Sequence, residues 1–336
     1  MDPISQGTFG GIFAQAFSSK KKIFAVSVVG VVAGLSPDLD ILIRSVEDPL
    51  LSLEYHRQFT HSLIFIPIGA LIVTLFTRLI FFKNLSFFEN YFFSILGYGT
   101  HGLLDTCTSY GTQLLWPFTN ERYAWNIISI IDPFLTVPIL ILLIFSIIFK
   151  KKIFSIISIL WIFIYLGFGL YQNYEAKKLA IKLAKSRNHD FKELTVKPSF
   201  GNLFLWKTIY FYENNYFIDS VNLISDPKFC HGTTIPKLDI EKHYQGLDPK
   251  SKQFNDIKRF HWFSNGYLGY DKKRKIITDV RYSLVPNEVD GLWGIQINKD
   301  SNYKGHVQWV VNRSDYKQRW ARFSKMLFGD QCRELF

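Results

Sequence analysis

Two patterns of hydrophobic and polar positions share this chain, and they change over near residue 171. Before it, apolar runs of membrane-crossing length alternate with short polar clusters. Residues 62–82 contain Arg78 as their only charge, which suits the ~20 apolar residues needed to cross about 30 Å of hydrocarbon. Residues 125–149 and 153–171 form two more such runs, separated by the lysines at 150–152. Residues 23–43 and 91–106 are apolar but interrupted by ionisable groups, Asp38 and Asp40 in the first, His101 and Asp105 in the second. These five runs predict five membrane spans. A sixth apolar element, residues 4–17, is short and runs into Lys20, Lys21 and Lys22. It predicts a short span or a partly inserted helix. Asp2 precedes it and the lysines follow it, the reverse of a cleavable signal, so it reads as a retained segment.

Beyond residue 171 the pattern is that of a soluble domain. Residues 172–187 predict a basic helix continuing outward from the last span, with Ala176, Leu179, Ala180 and Leu183 on one face. Residues 205–212 and 216–223, separated by Glu213-Asn214-Asn215, predict a β-hairpin. Residues 260–263 and 267–270 around Ser264-Asn265-Gly266 predict a second one. Further strands are expected at 276–284, 291–297 and 305–311. The stretch 316–327 closes the chain with a helix whose face carries Tyr316, Trp320, Phe323 and Leu327, with Lys317, Arg319, Arg322 and Lys325 around them. The expected architecture is therefore a membrane α-helical domain (1–171), with about five spans plus the short N-terminal helix. A basic helical connector (172–190) and a β-rich extracytoplasmic α+β domain (191–336) follow.

Composition sharpens this division. Of 336 residues, 17% are aromatic and only 20% charged, below the ~25% usual for soluble domains. The net charge of +11 is not spread evenly. Residues 1–171 hold 11 Lys/Arg and 10 Asp/Glu, leaving +1 there and +10 for the rest. A basic domain beside a membrane suits anionic headgroups, and the partner expected here is the lipid bilayer rather than nucleic acid. Cys107, Cys230 and Cys332 are an odd number at no metal-like spacing, so they predict no disulfide framework and no oxidising compartment.

The basic residues of short loops set orientation. If the five spans alternate, the clusters at 20–22 and 150–152, with Arg78 and Lys83, share one side, the cytoplasm. All three histidines of this half and nine of its ten acidic residues, all but Glu89, then gather at the opposite face. Asp38 and Asp40 stand where Pro37 interrupts a helix. His56 and His61 lie five residues apart before the next span, and His101 and Asp105 at i and i+4 share a helix face. Carboxylates with imidazoles and no thiolate suit Zn²⁺, Mn²⁺ or Fe²⁺ rather than a closed structural zinc site. Asp38, Asp40, His56, His61, His101 and Asp105 are the candidate ligands, enough for one ion with its outer partners or for two ions. Singly, each has an ordinary reading: Asp38 as a cap, His101 with Asp105 as a helix pair, Asp132 before Pro133 as a helix N-cap. Ionisable groups in or beside spans are costly and mark function by default, which favours the joint site.

The ordered set of fragments resembles the YdjM-like family of membrane-bound metal-dependent hydrolases, described as LexA-binding and inner membrane-associated. It is carried by Asp2-Pro3 with Gly7 and Gly10-Gly11, by Pro37-Asp38-Leu39-Asp40 and by His56-Arg57 with Thr60-His61-Ser62. His101-Gly102-Leu103-Leu104-Asp105 follows, with Thr108, Gly111 and Trp116-Pro117. The resemblance covers residues 1–171 and implies a polytopic inner-membrane protein with a metal-dependent hydrolytic site. Members often carry histidine after the initial Asp-Pro, where this chain has Gln6.

A metal held by these residues lowers the pKa of bound water from 15.7 to roughly 7. Arg57 and Asp132 are the candidate catalytic partners, and Asp2, Gln6, Trp116 and Arg122 the candidate substrate contacts. Arg44 is a further guanidinium for phosphate or carboxylate. Trp116, Tyr123 and Trp125 serve equally as interfacial anchors. The expected function is hydrolysis of a lipid or lipid-linked (phospho)ester at the outer membrane face. The alternative is a metal-dependent binding or transport protein. No Gly-x-Ser-x-Gly, Walker loop, dinucleotide fingerprint, zinc-finger spacing or His-Glu-x-x-His occurs, which removes the main support for a serine hydrolase, a kinase or a zincin protease.

Overall fold

The structure is a computed structural model describing residues 1–80, 85–244, 247–298, 305–312 and 314–334. The end of the expected 62–82 span and Lys83 lie outside the described residues. The chain divides into two compact units. One comprises Met1–Leu42, Tyr55–Tyr171 and Phe200–Asn202, and the other Ile43–Glu54, Gln172–Ser199 and Leu203–Phe336.

The first unit is helical. It contains α1 (Pro3–Ala16), α2 (Ile23–Leu35) with a 3₁₀ segment Ser36–Leu42 at its end, α4 (Ile66–Ile80), α5 (Phe87–Cys107), α6 (Pro133–Phe149) and the first part of α7 (Ile153–Ser186); a short α3 (Leu51–Tyr55), between the 3₁₀ segment and α4 in sequence, belongs to the second unit up to Glu54. Ser86 and Glu89 form a capping box at the start of α5. Among the described residues three stretches are long and apolar enough to cross a membrane, Ile23–Leu42, Leu63–Ile80 and Ile153–Ser186, and α6 is a shorter apolar helix. The expected helical run from residue 125 is corrected. Helix α6 starts at Pro133, because Asp132 caps it and proline occupies its first turn. The backbone before it is irregular instead, with Trp125 donating to the Thr106 carbonyl at 2.8 Å and Ile127 to that of Cys107 at 2.8 Å.

Glycines bring α1, α2 and α5 together. A Cβ on Gly10 would fall 2.2 Å from the Gly30 carbonyl oxygen, and one on Gly97 2.6 Å from that same oxygen. Close backbone approach of this kind is how helices associate in lipid. It also sets the distance between the polar residues that α1, α2 and α5 carry.

The second unit is β-rich, with two antiparallel four-stranded sheets. One is ordered β1 (Glu193–Pro198), β2 (Leu205–Tyr212), β3 (Asn215–Asn222), β4 (Lys228–Pro236), and the other β5 (Leu268–Asp271), β6 (Ile276–Asp279), β7 (Trp293–Gln296), β8 (Gln308–Val311). Helices α8 (Ile240–His243), α9 (Lys252–Phe263) and α10 (Tyr316–Leu327) complete it. The first hairpin forms as expected, with Tyr212 opposite Asn215 and the two turn residues, Glu213 and Asn214, at φ 43° and 67°. That is the left-handed pair of a two-residue turn.

The second expected hairpin does not form. Residues 260–263 are the last turn of α9, which Ser251 caps and whose face buries Gln253, Asp256, Ile257, Phe260 and Phe263. Asn265 and Gly266, both at positive φ, end that helix instead of turning a hairpin, since a left-handed residue serves either purpose. The connector helix continues α7 to Ser186, and Leu179 and Leu183 pack with Val221 and Phe229.

Two further expectations are corrected. Cys230 and Cys332 form a disulfide across 102 residues, a pairing that their spacing could not reveal. Helix α10 has the expected limits but buries Arg319, Phe323 and Met326, while Tyr316 is 59% exposed. Phe323 and Met326 join a cluster with Leu205, Cys230 and Val285, so the face opposite that core stays outside.

Candidate metal centre

The site is built where three polar pieces meet. The 3₁₀ segment after α2 supplies Asp38 and Asp40, the loop ahead of α4 supplies His56, Arg57, Thr60 and His61, and α5 supplies His101 and Asp105 one turn apart. Gly102 lets α5 approach the loop, since a Cβ there would sit 2.3 Å from the His61 carbonyl oxygen. His61, His101 and Asp105 are fully buried at their side chains, and Asp38 is the partly open member.

Four ligand atoms face one another. His61 Nε2 lies 2.9 Å from His101 Nε2, 3.4 Å from Asp38 Oδ1 and 3.3 Å from Asp105 Oδ2. His101 Nε2 lies 3.3 Å from Asp38 Oδ1 and 3.7 Å from Asp105 Oδ2. A tetrahedron whose centre is about 2.0–2.1 Å from each corner has edges of about 3.3–3.4 Å, and the five distances scatter about that value.

Hydrogen bonding assigns the protons. His101 Nδ1 is 2.6 Å from the Gly34 carbonyl, which only accepts, so Nδ1 carries the hydrogen and Nε2 presents a lone pair in the neutral ring. Thr60 Oγ1 donates to Asp40 Oδ2 at 2.8 Å, so it accepts from His61 Nδ1 at 3.0 Å, with Asp40 Oδ2 3.2 Å from the same nitrogen. In the neutral ring, the form that holds a metal, His61 Nε2 is then also a bare lone pair. Two imidazole lone pairs and two carboxylate oxygens in mutual contact repel unless a cation sits among them, and Asp38, His61, His101 and Asp105 suit a divalent ion on those grounds. Carboxylate and carbonyl partners on the far ring nitrogens are the usual outer support of metal-bound histidines.

Asp40 and His56 stand one layer out. Asp40 Oδ1 is 2.7 Å from His56 Nδ1, and Oδ2 takes the Arg57 backbone N–H at 3.0 Å besides Thr60 and His61. Asp40, His56 and His61 form a second group with ligand spacing, in which the carboxylate already holds the loop. Replacing Asp40 with asparagine should therefore weaken metal binding about 10–100-fold without abolishing it, as read by chelator competition.

Arg57 adopts φ 67°, a conformation a side chain of this size rarely takes. Its Nε is 3.1 Å from Asp105 Oδ2, its Nη1 donates to Thr108 Oγ1 at 3.1 Å, and its guanidinium lies 4.7 Å over the Tyr110 ring. Arg122, also buried, donates to the Gly111 carbonyl at 2.9 Å and lies 5.6 Å over that same ring. Gln6 donates through Nε2 to Asp105 Oδ1 at 2.8 Å, an oxygen that also meets the amino group of Met1.

The remaining candidates are not drawn into either group. Asp2 caps α1 through Ser5, at 3.0 Å from its backbone nitrogen. Asp132 caps α6 and accepts from the Tyr165 hydroxyl at 2.7 Å. Trp116 packs on Phe59 at 6.2 Å, and Arg44 is an exposed residue of the second unit. Tyr110, Thr108 and the Gly34 carbonyl are the contributors that spacing did not single out as site residues. A backbone carbonyl and a lone loop tyrosine leave no mark in a pattern of charges. A third group in the β-rich unit, Asp48, Asp256 and His306, is balanced by Arg259, which bonds Asp48 and Asp256 at 3.0 Å each and Glu54 at 2.8 Å.

A helical membrane unit with buried His and Asp side chains at one cluster defines a polytopic membrane protein with a candidate metal site. The family profile described as YdjM inner membrane protein matches residues 1–176, and the chain belongs to that family. It is 26% identical over 111 residues to the uncharacterized protein YfhP of Bacillus subtilis (strain 168), covering 33% of each chain. It is 30% identical over 105 residues to the inner membrane protein YbcI of Escherichia coli (strain K12), covering 30% of this chain and 60% of that one. The matches thus span a third of the first relative and under two thirds of the second. No solved structure matches.

Proposed function

We propose that this protein is a membrane-embedded, metal-dependent hydrolase acting at the outer membrane face on a lipid or lipid-linked phosphoester. The observation that carries this reading is the convergence of two bare imidazole nitrogens and two carboxylate oxygens at tetrahedral spacing. The ion, Zn²⁺ by this donor set with Mn²⁺ or Fe²⁺ as substitutes, supplies a hydroxide nucleophile at neutral pH. Gln6 is placed to orient water beside it. Its Nε2 must face Asp105, so its Oε1, buried and without a hydrogen-bond partner, is an acceptor for an O–H. Arg57 holds Asp105 in place. Arg122 brings a second guanidinium to Tyr110, where an anionic substrate group is favoured.

Lipid as substrate is supported by the exposed apolar residues of the site's own segments, Leu39, Ile41 and Leu42 beside Asp38 and Asp40, and Phe118 in the loop after Tyr110. On a reading of five spans, which counts α5 and α6 with the three longer candidates, residues 191–336 would lie outside the cytoplasm. The Cys230–Cys332 disulfide supports that side, because such bonds persist in oxidising compartments. A cysteine introduced at Lys275 should then react with an impermeant reagent on intact cells; reaction only after lysis inverts the topology.

The test of the activity is purification in detergent, metal analysis, and a screen of lipid phosphoesters with wild type and His101→Ala. Bound metal and hydrolysis in the wild type alone are expected. No metal in either protein, or equal hydrolysis by both, overturns the reading.

A further inference from the structure

The interior of the β-rich unit holds two lysines directly opposite each other, Lys197 on β1 and Lys207 on β2. Like charges at such positions are destabilising, and here they are also taken from water: Lys207 is 2% exposed. Its ammonium donates to two neutral groups, Ser283 Oγ at 2.8 Å and the Glu288 carbonyl at 3.1 Å. The Lys197 ammonium lies 3.5 Å over the Tyr282 ring. Arg281 brings a third cation, 5.3 Å over that ring, and the nearby carboxylate, Asp279, is taken by Arg281 at 2.9 and 2.7 Å. Among the described residues no carboxylate comes within ion-pair distance of either lysine.

Two polar groups of the same region have no partner at all. Ser220 follows Lys207 in the same cross-strand row. It is fully buried, and its hydroxyl has no hydrogen-bond partner. The Trp293 ring packs against Tyr282, centroids 4.7 Å apart, and its indole N–H is buried and unpartnered. A Lys197 ammonium held only over a ring, a Lys207 ammonium bonded to two neutral oxygens and no anion, and a hydroxyl and an indole N–H without a partner are the complement of an oxyanion, and buried donors of this kind call for one.

We propose that Lys197 and Lys207, with Ser220 and Trp293, form a binding site for a phosphate group, independent of the His/Asp cluster of the membrane unit. Burial pushes the Lys207 amine down to about 7, and a bound anion restores its charge. Lys197 is the partly exposed member of the pair, so its side is the entrance. The phosphate belongs either to a free ion or to a lipid headgroup.

The experiment is thermal unfolding and equilibrium dialysis of the full-length protein in phosphate-free detergent. Radiolabelled inorganic phosphate and dihexanoyl phosphatidic acid are the two probes, and chloride holds the ionic strength. Phosphate should raise the wild-type midpoint by roughly 3 °C or more at saturation. Lys207→Met and the less buried Lys197→Met should each lose the rise and the dialysed phosphate. An equal rise at far lower phosphatidic acid concentration assigns the site to a lipid headgroup, and a rise with inorganic phosphate alone assigns it to the free ion. No rise with either probe, or a rise that survives both substitutions, overturns the proposal and leaves a lysine pair served by water.

Discussion

His61→Ala should purify with less than a tenth of the wild-type metal content. Among the described residues, His61 is the one shared by the two groups of ligand spacing in the helical unit. Its Nε2 meets His101, Asp38 and Asp105, and its Nδ1 ties the inner ligands to Asp40. Removing it deletes an inner donor and releases the outer carboxylate at once. The loss should therefore exceed the 10–100-fold typical of an outer partner alone, and the gap from Asp40→Asn measures the inner contribution. Metal analysis after dialysis against a weak chelator reads both. Equal retention by His61→Ala and wild type would move the ion away from this cluster.

Gly34→Ala should cost about 2–3 kcal/mol of stability and loosen the metal as well. In an open helix the substitution stabilises by up to about 1 kcal/mol. Here an added Cβ would lie 2.5 Å from the Gln6 carbonyl oxygen, a backbone atom that cannot rotate away, and overpacking of that kind costs about 1–3 kcal/mol. The steric term outweighs the propensity term. Gly34 also offers its own carbonyl to His101 Nδ1, so pushing α1 and α2 apart disturbs the proton placement that keeps the His101 lone pair inward. Gly167→Ala is the control, since nothing lies within 4 Å of its Cβ position. Thermal midpoints in detergent with metal content alongside separate the two effects, and a Gly34→Ala midpoint equal to that of Gly167→Ala would refute the packing argument.

Much of the candidate site was legible because its chemistry is expensive. Carboxylates and histidines interrupting apolar runs stand out against a background with so few charges, and i, i+4 spacing already put His101 and Asp105 on one face. The division of labour between Asp38 and Asp40 was not legible. Both belong to one Asp-x-Asp, and only the turn of the 3₁₀ segment sends one carboxylate to the Nε2 atoms of His61 and His101 and the other to Nδ1 of His61 and His56. In the β-rich unit, Glu213-Asn214 marked a turn between two alternating runs, where local signals agree. Ser264-Asn265-Gly266 misled because a left-handed residue closes helices as readily as hairpins, and the apolar positions of α9 were too sparse to outvote it. The disulfide lay beyond any local pattern. The start of α6 was available in Asp132-Pro133, whose capping geometry prevailed over an apolar run that begins earlier.

The 3₁₀ segment Ser36–Leu42 carries a consequence of its own. Asp38 and Asp40 turn to the histidines, while Leu39, Ile41 and Leu42 between and after them are exposed. Seven residues thus join the chemistry to the protein's outer skin with no linker between. If those three side chains rest in the bilayer, as the proposed function has it, a thinner bilayer or a different headgroup layer would displace an inner carboxylate and its organising neighbour together. On the proposed function, lipid composition would then be a control variable for metal binding, acting without a second site or a moving domain.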